Sequence, residues 1–321
     1  MTTIKDVAEF AGVSVATVSR TLNNSGYVGE ESRKKVERAI KTLEYYPNEV
    51  ARSLFQKTSK MIGLLLPDIS NPYFPLLAKG VEDCAQEKGY MVILGNVEDN
   101  LEKESTYVKF FSQYNVSGVL SASAIQKDAK SSIPFVLLDR AMEKEDYSIS
   151  TDDLLGGKLA ARAIEETKAE NVIVMAGPKK VPGANDRLTG NLQVLNHSNI
   201  NYKIFETNTY QVDKAEKIAR NLFETFENFD SVIASNDVFA LAVMKEAMRR
   251  KYRIPEDLQI IGYDDMPFSR YMFPGLTTIA QPAYEVGYRG AEMLFNLIEK
   301  KSITQKKVIL KPEFVQRETL R

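Results

Sequence analysis

The chain has 321 residues with one cysteine, one histidine and a formal net charge of −1. Cys84 alone cannot form an intrachain disulfide or a cysteine-cluster metal site, and His197 alone excludes histidine-rich metal centres and most catalytic triads. No apolar run is long enough to span a membrane, and the first residues lack the apolar stretch of a signal peptide. We therefore expect a cytoplasmic protein with no membrane partner, no metal and no cofactor.

The stretch IKDVAEFAGVSVATVSRTLN near the start has the pattern of two short helices joined by a tight turn. Its first half has apolar residues at helical spacing, and Gly12 then breaks the helix because glycine tolerates the backbone angles of a turn. Ser14 offers a hydroxyl N-cap for a second helix that runs to about Asn23. Two helices joined by a glycine-containing turn are typical of a helix-turn-helix.

The second helix of such a unit enters the DNA major groove and contacts base edges. Val15, Ala16 and Arg20 would point outward there. Arginine suits the O6 and N7 atoms of guanine, and small apolar side chains suit the thymine methyl group. A purely structural helical hairpin fits the same pattern, so the pattern alone leaves both interpretations open.

A third helix, Glu31 to Leu43, is predicted next, with apolar residues on one side and lysines and arginines on the other. Residues 1–60 carry ten Lys and Arg against seven Asp and Glu, so this end is slightly basic, as expected of a nucleic-acid-binding head. Residues 49–55 then predict about two helical turns, too few for a stable isolated helix in water. If two copies met over DNA, Leu54 could wedge into the minor groove. A linker that packs on the body is the alternative.

From Met61 onward, buried apolar strands alternate with amphipathic helices. Apolar runs without alternation, separated by helices, indicate parallel sheets covered on both faces, and their number exceeds one compact sheet. We therefore predict an α/β protein in which two doubly wound parallel-sheet subdomains follow the three-helix DNA-binding domain. The expected boundaries are 1–46 for the helix-turn-helix domain, 47–60 for the short helix and linker, and 61–321 for the core, with an N-subdomain of about 61–157 and 282–305 and a C-subdomain of about 158–281 and 306–321.

Polar and aromatic side chains follow several of the predicted strands. Ligands of parallel sheets bind at the carboxyl ends of the strands, so these side chains predict a small polar pocket for a hydroxyl-rich ligand. For any one residue, a helix cap or a loop residue is the alternative. The strand-end residues are Asn71, Tyr73, Phe74, Asp139, Arg140, Arg187, Asn236, Asp237, Asp264, Asp265 and Gln281.

Motifs of enzymes are not found in the sequence. It contains no P-loop, no G-x-G-x-x-G and no G-x-S-x-G. Gly156 and Gly157 begin a predicted helix but lack the spacing of a dinucleotide-binding fingerprint. We therefore expect a protein that is not an enzyme.

In the order and spacing of its own motifs, the chain resembles the lactose-repressor (LacI/GalR) family of bacterial transcription regulators over essentially its whole length. The likeness lies in IKDVA, AGVS and TVSR, then YYPNEVARSL, GLLLPDISNPYF, ASND, GYDD and LTTIAQP. Within the family it is strongest to the ribose operon repressors, especially the Gram-positive type, through VSVATVSR, YYPNEVARSL and LLLPDISNPYFP.

The resemblance implies a homodimer on near-palindromic double-stranded operator DNA, a hinge helix at 48–55 and a core similar to periplasmic sugar-binding proteins. The implied DNA-binding residues are Ser14, Val15, Ala16, Thr17, Arg20, Asn23, Asn48, Ala51 and Leu54. The implied effector-binding residues are Phe74, Asp139, Arg140, Arg187, Asn236, Asp264 and Gln281.

Ribose is the expected effector, acting as inducer of a ribose-utilisation operon. Within the regulator class, sucrose, fructose or a sugar phosphate, a corepressor in place of an inducer, and a phosphocarrier co-regulator stay open. From other classes, a sugar-binding or sugar-modifying α/β protein is the alternative.

Overall fold

The computed structural model describes residues 2–46, 59–98, 100–123, 133–139 and 147–321. The chain divides into two compact units, Met1–Ser59 and Lys60–Arg321. The expected hinge helix, with Asn48, Ala51 and Leu54, and the expected effector residue Arg140 lie outside the described residues. None of the helices that the structure describes is both long and apolar enough to cross a membrane.

The described part of the first unit forms three helices: α1 (Ile4–Ala11), α2 (Val15–Asn23) and α3 (Glu30–Thr42). Two residues explain the turn between α1 and α2. Gly12 ends α1 in a left-handed conformation with φ 65°, and the Ser14 hydroxyl caps α2 by accepting a hydrogen bond from the Thr17 backbone N–H across 3.1 Å. Val18 of α2 is fully buried together with Val7, Val36 and Ala39 from the other helices. The helix-turn-helix therefore has its own small apolar core, and its apolar pattern was read correctly.

The described residues of the second unit form two sheets. The first sheet has the strand order β11-β5-β4-β3-β1-β2, with all neighbours parallel. Its strands are β1 (Met61–Leu66), β2 (Met91–Asn96), β3 (Val119–Ser121), β4 (Phe135–Leu138), β5 (Ser148–Thr151) and β11 (Lys307–Leu310).

The second sheet has the order β12-β10-β9-β8-β6-β7 and is parallel except for the antiparallel pair β10 and β12. Its strands are β6 (Asn171–Ala176), β7 (Asn201–Glu206), β8 (Ser231–Ile233), β9 (Gln259–Asp264), β10 (Thr277–Ala280) and β12 (Glu313–Val315). The predicted pair of doubly wound parallel sheets is confirmed.

Helices cover both sheets and bury their apolar strands. Helices α4 (Tyr73–Glu87), α5 (Leu101–Gln113) and α10 (Ala283–Ile298) pack on the first sheet. Helices α6 (Asp153–Glu166), α7 (Pro182–Leu195), α8 (Ala215–Thr225) and α9 (Asp237–Arg249) pack on the second. Because each sheet has its own core, the two subdomains are separate α/β units that are joined where the chain crosses from one sheet to the other.

The chain crosses between the sheets after β5, after β10 and after β11. The last crossing differs from the expected boundary near residue 305, because Lys307–Leu310 pairs in parallel with Ser148–Thr151 of the first sheet. Only the residues that follow β11 join the second sheet, where Glu313–Val315 pairs with β10. The short segment KVIL gave no strong strand pattern, so its sheet was set by tertiary pairing.

Candidate functional site

The outer face of helix α2 carries the side chains expected to contact DNA. Val15 is 41% exposed, and Ala16 and Arg20 are also exposed, while Val18 on the opposite face is buried. Ser14 is exposed as well and caps the helix, and Thr17 is half-buried beside it. The exposed row leaves these side chains accessible to base edges, as the predicted role in DNA binding requires.

A cavity of about 380 Å³ lies between the carboxyl ends of the two sheets. This volume is typical of a small-molecule site. Asn71, Tyr73, Phe74 and Asp139 line it from the first sheet's side, and Arg187, Asn236, Asp264 and Gln281 line it from the second. The structure thus brings together all the expected effector residues that it describes.

Asp264 and Gln281 form a hydrogen-bonded polar pair in the cavity. The Gln281 Nε2 group donates a hydrogen bond to Asp264 Oδ1 across 2.6 Å. Among the described residues, nothing hydrogen-bonds to Gln281 Oε1, although the atom is buried. A sugar hydroxyl could donate to this oxygen, which would satisfy an otherwise costly buried acceptor.

Asp264 is only 6% exposed and adopts φ 112°, a conformation that a side-chain-bearing residue rarely takes. Burial raises the pKa of the Asp264 carboxyl to about 8, against the lowering effect of the Arg187 guanidinium, and nearby Asp237 and Asp139 add to the rise. A raised pKa and a strained backbone in one cavity residue are the features expected at a functional position.

Arg187 brings a positive charge to the cavity wall from helix α7. Its Nε group donates to Asp153 Oδ1 across 2.6 Å, and its guanidinium stacks over the Tyr263 ring at 3.9 Å. Burial lowers the pKa of Arg187, but Asp153 acts together with Tyr263, Tyr210 and Asp264 to raise it, and the resulting pKa lies well above its usual range. Arg187 therefore stays charged and can donate to two oxygens of a ligand.

The aromatic side of the cavity comes from the start of helix α4. The rings of Tyr73 and Phe74 meet edge to face, with centroids 5.3 Å apart. The Tyr73 hydroxyl is buried without a hydrogen-bond partner in the described part of the chain, and burial raises its pKa well above the usual value. It is a second group that a ligand hydroxyl would satisfy, while Phe74 offers an apolar surface to a sugar ring.

Two further strand-end residues have structural roles outside the cavity. Asp237 accepts from the Met266 backbone N–H and from the hydroxyls of Ser269 and Thr278, and Asp265 forms an ion pair with Arg317. They hold the loop after β9 in place and do not line the cavity, so of the two interpretations left open, the structural one applies to this pair.

Asn236 and Asn71 combine the two interpretations that the sequence left open. Asn236 caps helix α9 by accepting from the Phe239 backbone N–H, and Asn71 accepts from the Tyr73 backbone N–H. Both residues also line the cavity.

The sequence did not identify a second group of cavity residues. They lie at or just after the ends of β1, β2, β6 and β7, at the same carboxyl edges of the sheets as the identified residues. Their position at the end of a strand was the feature of the sequence that could have identified them. Strand β7, NYKIFE, was missed because it is a largely exposed edge strand without an apolar run. The added residues are Pro67, Asp68, Ser70, Asn96, Glu98, Pro178, Lys180, Val181, Asn208, Thr209, Tyr210, Gln211, Val212 and Asp213.

Two family descriptions match this chain. Residues 3–48 match the model of bacterial regulatory proteins of the lacI family, and residues 161–320 match a periplasmic binding protein-like domain. A ribose operon repressor of Bacillus subtilis (strain 168) is 45% identical, with 100% of this chain and 99% of that protein covered. The chain belongs to the lacI family.

Solved structures of lacI-family proteins are similar throughout. The lac repressor dimer bound to operator and the anti-inducer ONPF has a TM-score of 0.90 at 26% identity, covering 99% of this chain and 98% of that one. A periplasmic binding protein/LacI transcriptional regulator from Alkaliphilus metalliredigens QYMF, complexed with D-xylulofuranose, has a TM-score of 0.76 at 29% identity, covering 82% and 100%. In lacI-family terms, the first unit is the regulatory DNA-binding part and the second is the periplasmic-binding-like part.

Among the described residues there is no group of three or more His, Cys, Asp or Glu side chains arranged to hold a metal ion. The polar groups of the cavity are instead hydrogen-bond donors and acceptors, among them Arg187, Tyr73, Gln281, Asp139 and Asp264. This lacI-family cleft therefore has the chemistry to bind a neutral, hydroxyl-rich molecule.

Proposed function

We propose that this protein is a sequence-specific DNA-binding repressor of a ribose-utilisation operon and that ribose, bound in the cleft, is its inducer. The observation that carries the proposal is the cavity in which Asp264, Gln281 and Arg187 face the aromatic pair Tyr73 and Phe74. Acceptors and fixed-geometry donors next to an aromatic surface suit a sugar ring with adjacent hydroxyls.

The relatives support ribose as the effector. Proteins named ribose operon repressor are 45%, 42% and 41% identical to this chain over 97% or more of both partners. The similar regulator from Alkaliphilus metalliredigens holds D-xylulofuranose, a five-carbon sugar in its ring form. Both findings favour an unmodified pentose over a disaccharide or hexose.

The charges of the cavity disfavour a phosphorylated sugar. The described lining carries two cations, Lys180 and Arg187. Against them stand four carboxylates, those of Asp68, Glu98, Asp139 and Asp213, while the buried Asp264 carboxyl, with a pKa of about 8, is mostly protonated near pH 7. A phosphate would meet a surplus of negative charge there, whereas a neutral sugar would not.

The mechanism we infer is a linkage between sugar binding and operator binding. A pentose that contacts residues of both sheets stabilises the closed arrangement of the core. The closed core is the state in which the homodimer binds its near-palindromic operator more weakly. The sugar can weaken repression only by its difference in affinity for the two states.

The partners follow from this role. Operator DNA, ribose and a second copy of the chain are the proposed partners, and a regulator that binds DNA works in the cytoplasm. Regulation of this kind requires no catalytic step. The phosphocarrier co-regulator stays a prediction, which a pull-down with purified phosphocarrier protein would check.

The test has two steps. Operator sequences are first selected from random DNA by the purified protein, and operator affinity is then measured against ribose, xylose, fructose, sucrose and ribose 5-phosphate. Ribose is expected to weaken operator binding most at equal concentration. A stronger effect of ribose 5-phosphate or of a disaccharide would refute the pentose assignment, and a protein that selects no DNA sequence would refute the repressor.

A further inference from the structure

The glycine pair Gly156 and Gly157, which matches no phosphate-binding fingerprint, has a packing role. A Cβ at Gly157 would collide with the backbone carbonyl of Arg187, and a Cβ at Gly190 would collide with that of Leu154. Helices α6 and α7 therefore approach each other at backbone distance, which residues with side chains would prevent. This close approach determines which side chain of α6 reaches the cavity arginine.

That side chain is Asp153, the first residue of α6. Its Oδ1 lies 2.6 Å from Arg187 Nε, and the two side chains are 5% and 12% exposed. Gly183 on α7 leaves the space that Oδ2 occupies, because a Cβ there would collide with it. Asp153 is not part of the cavity lining, so it reaches a ligand only through Arg187.

Tyr263 holds the same arginine from another direction. Its hydroxyl donates to Asp153 Oδ1 across 3.0 Å, while its ring lies under the guanidinium. A Cβ at Gly156 would collide with this hydroxyl, so Gly156, the other glycine of the pair, leaves the space that the Tyr263 hydroxyl occupies. Arg187 is thus fixed at Nε by a carboxylate and on its flat face by an aromatic ring.

We propose that Asp153 is a positioning residue for the sugar site, which rests on the proposed function. Bonded to Nε, it turns the Nη groups of Arg187 toward the cavity. In the part of the chain that the structure describes, Nη2 donates no hydrogen bond, and Nη1 makes only a long one, 3.4 Å, to the Ser235 carbonyl. The two groups are therefore ready for sugar oxygens.

The position of Asp153 in the chain makes it a rigid support. It follows directly on the first crossing between the sheets, where the Asp152 backbone N–H donates to the Leu310 carbonyl across 2.8 Å. Leu310 ends β11 at the third crossing. The carboxylate is therefore anchored where two crossing segments meet, and it holds Arg187 at the same place before the sugar arrives.

The test compares ribose affinity by calorimetry for the wild type, Asp153→Asn and Asp153→Ala. We expect a loss of roughly tenfold or more for the alanine variant and a smaller loss for asparagine, which keeps an oxygen for Nε. Asp230→Asn is the matched control: this carboxylate is also hydrogen-bonded within the second sheet's subdomain, to the Glu170 and Asn171 backbone N–H groups. It lies outside the cavity lining and should leave affinity unchanged.

A purely structural role is excluded by repeating the alanine substitution in an Arg187→Met background. If Asp153 acts through Arg187, Asp153→Ala should cause no further loss of ribose affinity in the Arg187→Met background. A general loss of packing would instead lower the affinity again by the same factor. The Arg187 Nε–H signal in NMR spectra of the sugar-free protein should also shift in Asp153→Ala.

Two results distinguish a failure of the positioning role from a failure of the proposed function. If the wild type binds ribose and Asp153→Ala binds it equally well, the positioning role is wrong and the proposed function stands. If the wild type binds no ribose, the proposed effector is wrong, and an unchanged Arg187 Nε–H signal in Asp153→Ala would then overturn the positioning role as well.

Discussion

The Gln281 side-chain amide donates to the Asp264 carboxylate across 2.6 Å, although the two residues belong to the ends of different strands. The parallel register explains the contact, because Asp264 lies opposite Ala280, the residue before Gln281. With its N–H used in this way, the amide keeps its buried oxygen, which has no hydrogen-bond partner among the described residues, as an acceptor for a ligand hydroxyl. Neighbouring strand ends thus produce a pair of acceptors that neither residue would form alone.

Burial of Asp264 predicts a pH dependence of stability. Its pKa of about 8 in the folded protein lies above the usual value of 3.8, so between these values the folded state binds more protons than the unfolded state. The free energy of unfolding should therefore fall as pH rises from about 4 through 8. Asp264→Asn removes this contribution.

Thermal unfolding of the wild type and Asp264→Asn, measured between about pH 5 and pH 9, checks this sign. The wild type should lose more stability than the variant across that range. Asp237, whose pKa burial raises to about 6, titrates in both proteins and cancels in the comparison. Parallel curves for the two proteins would show that Asp264 is ionised in the folded state throughout.

The Ser14 cap should be measurable in helix α2. Ser14→Ala leaves the Thr17 backbone N–H without its side-chain acceptor, and loss of such a cap costs about 1 kcal/mol. Amide exchange in α2 of the DNA-free protein should speed up accordingly. Ser19→Ala, a serine within the same helix that is not its cap, serves as the control and should not speed exchange.

Arg20 should carry sequence discrimination. It is exposed on α2 one turn after Ala16, and loss of a bidentate guanine contact costs about 1–3 kcal/mol per half-site. Arg20→Ala should therefore lose most of the difference in affinity between operator and scrambled DNA. The check is a gel-shift competition between the two DNAs.

Lys35→Ala provides the matched control for charge, because Lys35 is an exposed cation of the same unit that pairs with Glu31. Its removal should weaken binding to both DNAs alike. Equal discrimination by Arg20→Ala and the wild type would assign base recognition to other residues.

The sequence was sufficient for the features that depend on local pattern. The helix-turn-helix, the buried strands and the strand-end position of Asp264 follow from apolar period, caps and the geometry of parallel sheets. The roles of Asp237 and Asp265 were not accessible in this way. Both look like cavity residues in sequence, and only the tertiary partners Ser269, Thr278 and Arg317 assign them to the fold.

The short strands show the same limit. Lys307–Leu310 joins the first sheet and Glu313–Val315 joins the second, although just two residues separate the two strands in sequence. Neither segment has an apolar run long enough to indicate a buried strand, so non-local pairing decides their place. The Asp153–Arg187 pair was missed for a related reason, since it depends on glycines that let two helices approach.

The most direct test of sugar-controlled repression is the operator affinity of the wild type and Asp264→Ala, each with and without saturating ribose. The wild type should release operator when ribose is added. Asp264→Ala should bind operator as tightly as the wild type without sugar and respond poorly to ribose, because it lacks a buried partner for the sugar hydroxyls. If ribose leaves the operator affinity of the wild type unchanged, or if the variant responds as fully as the wild type does, the account is contradicted.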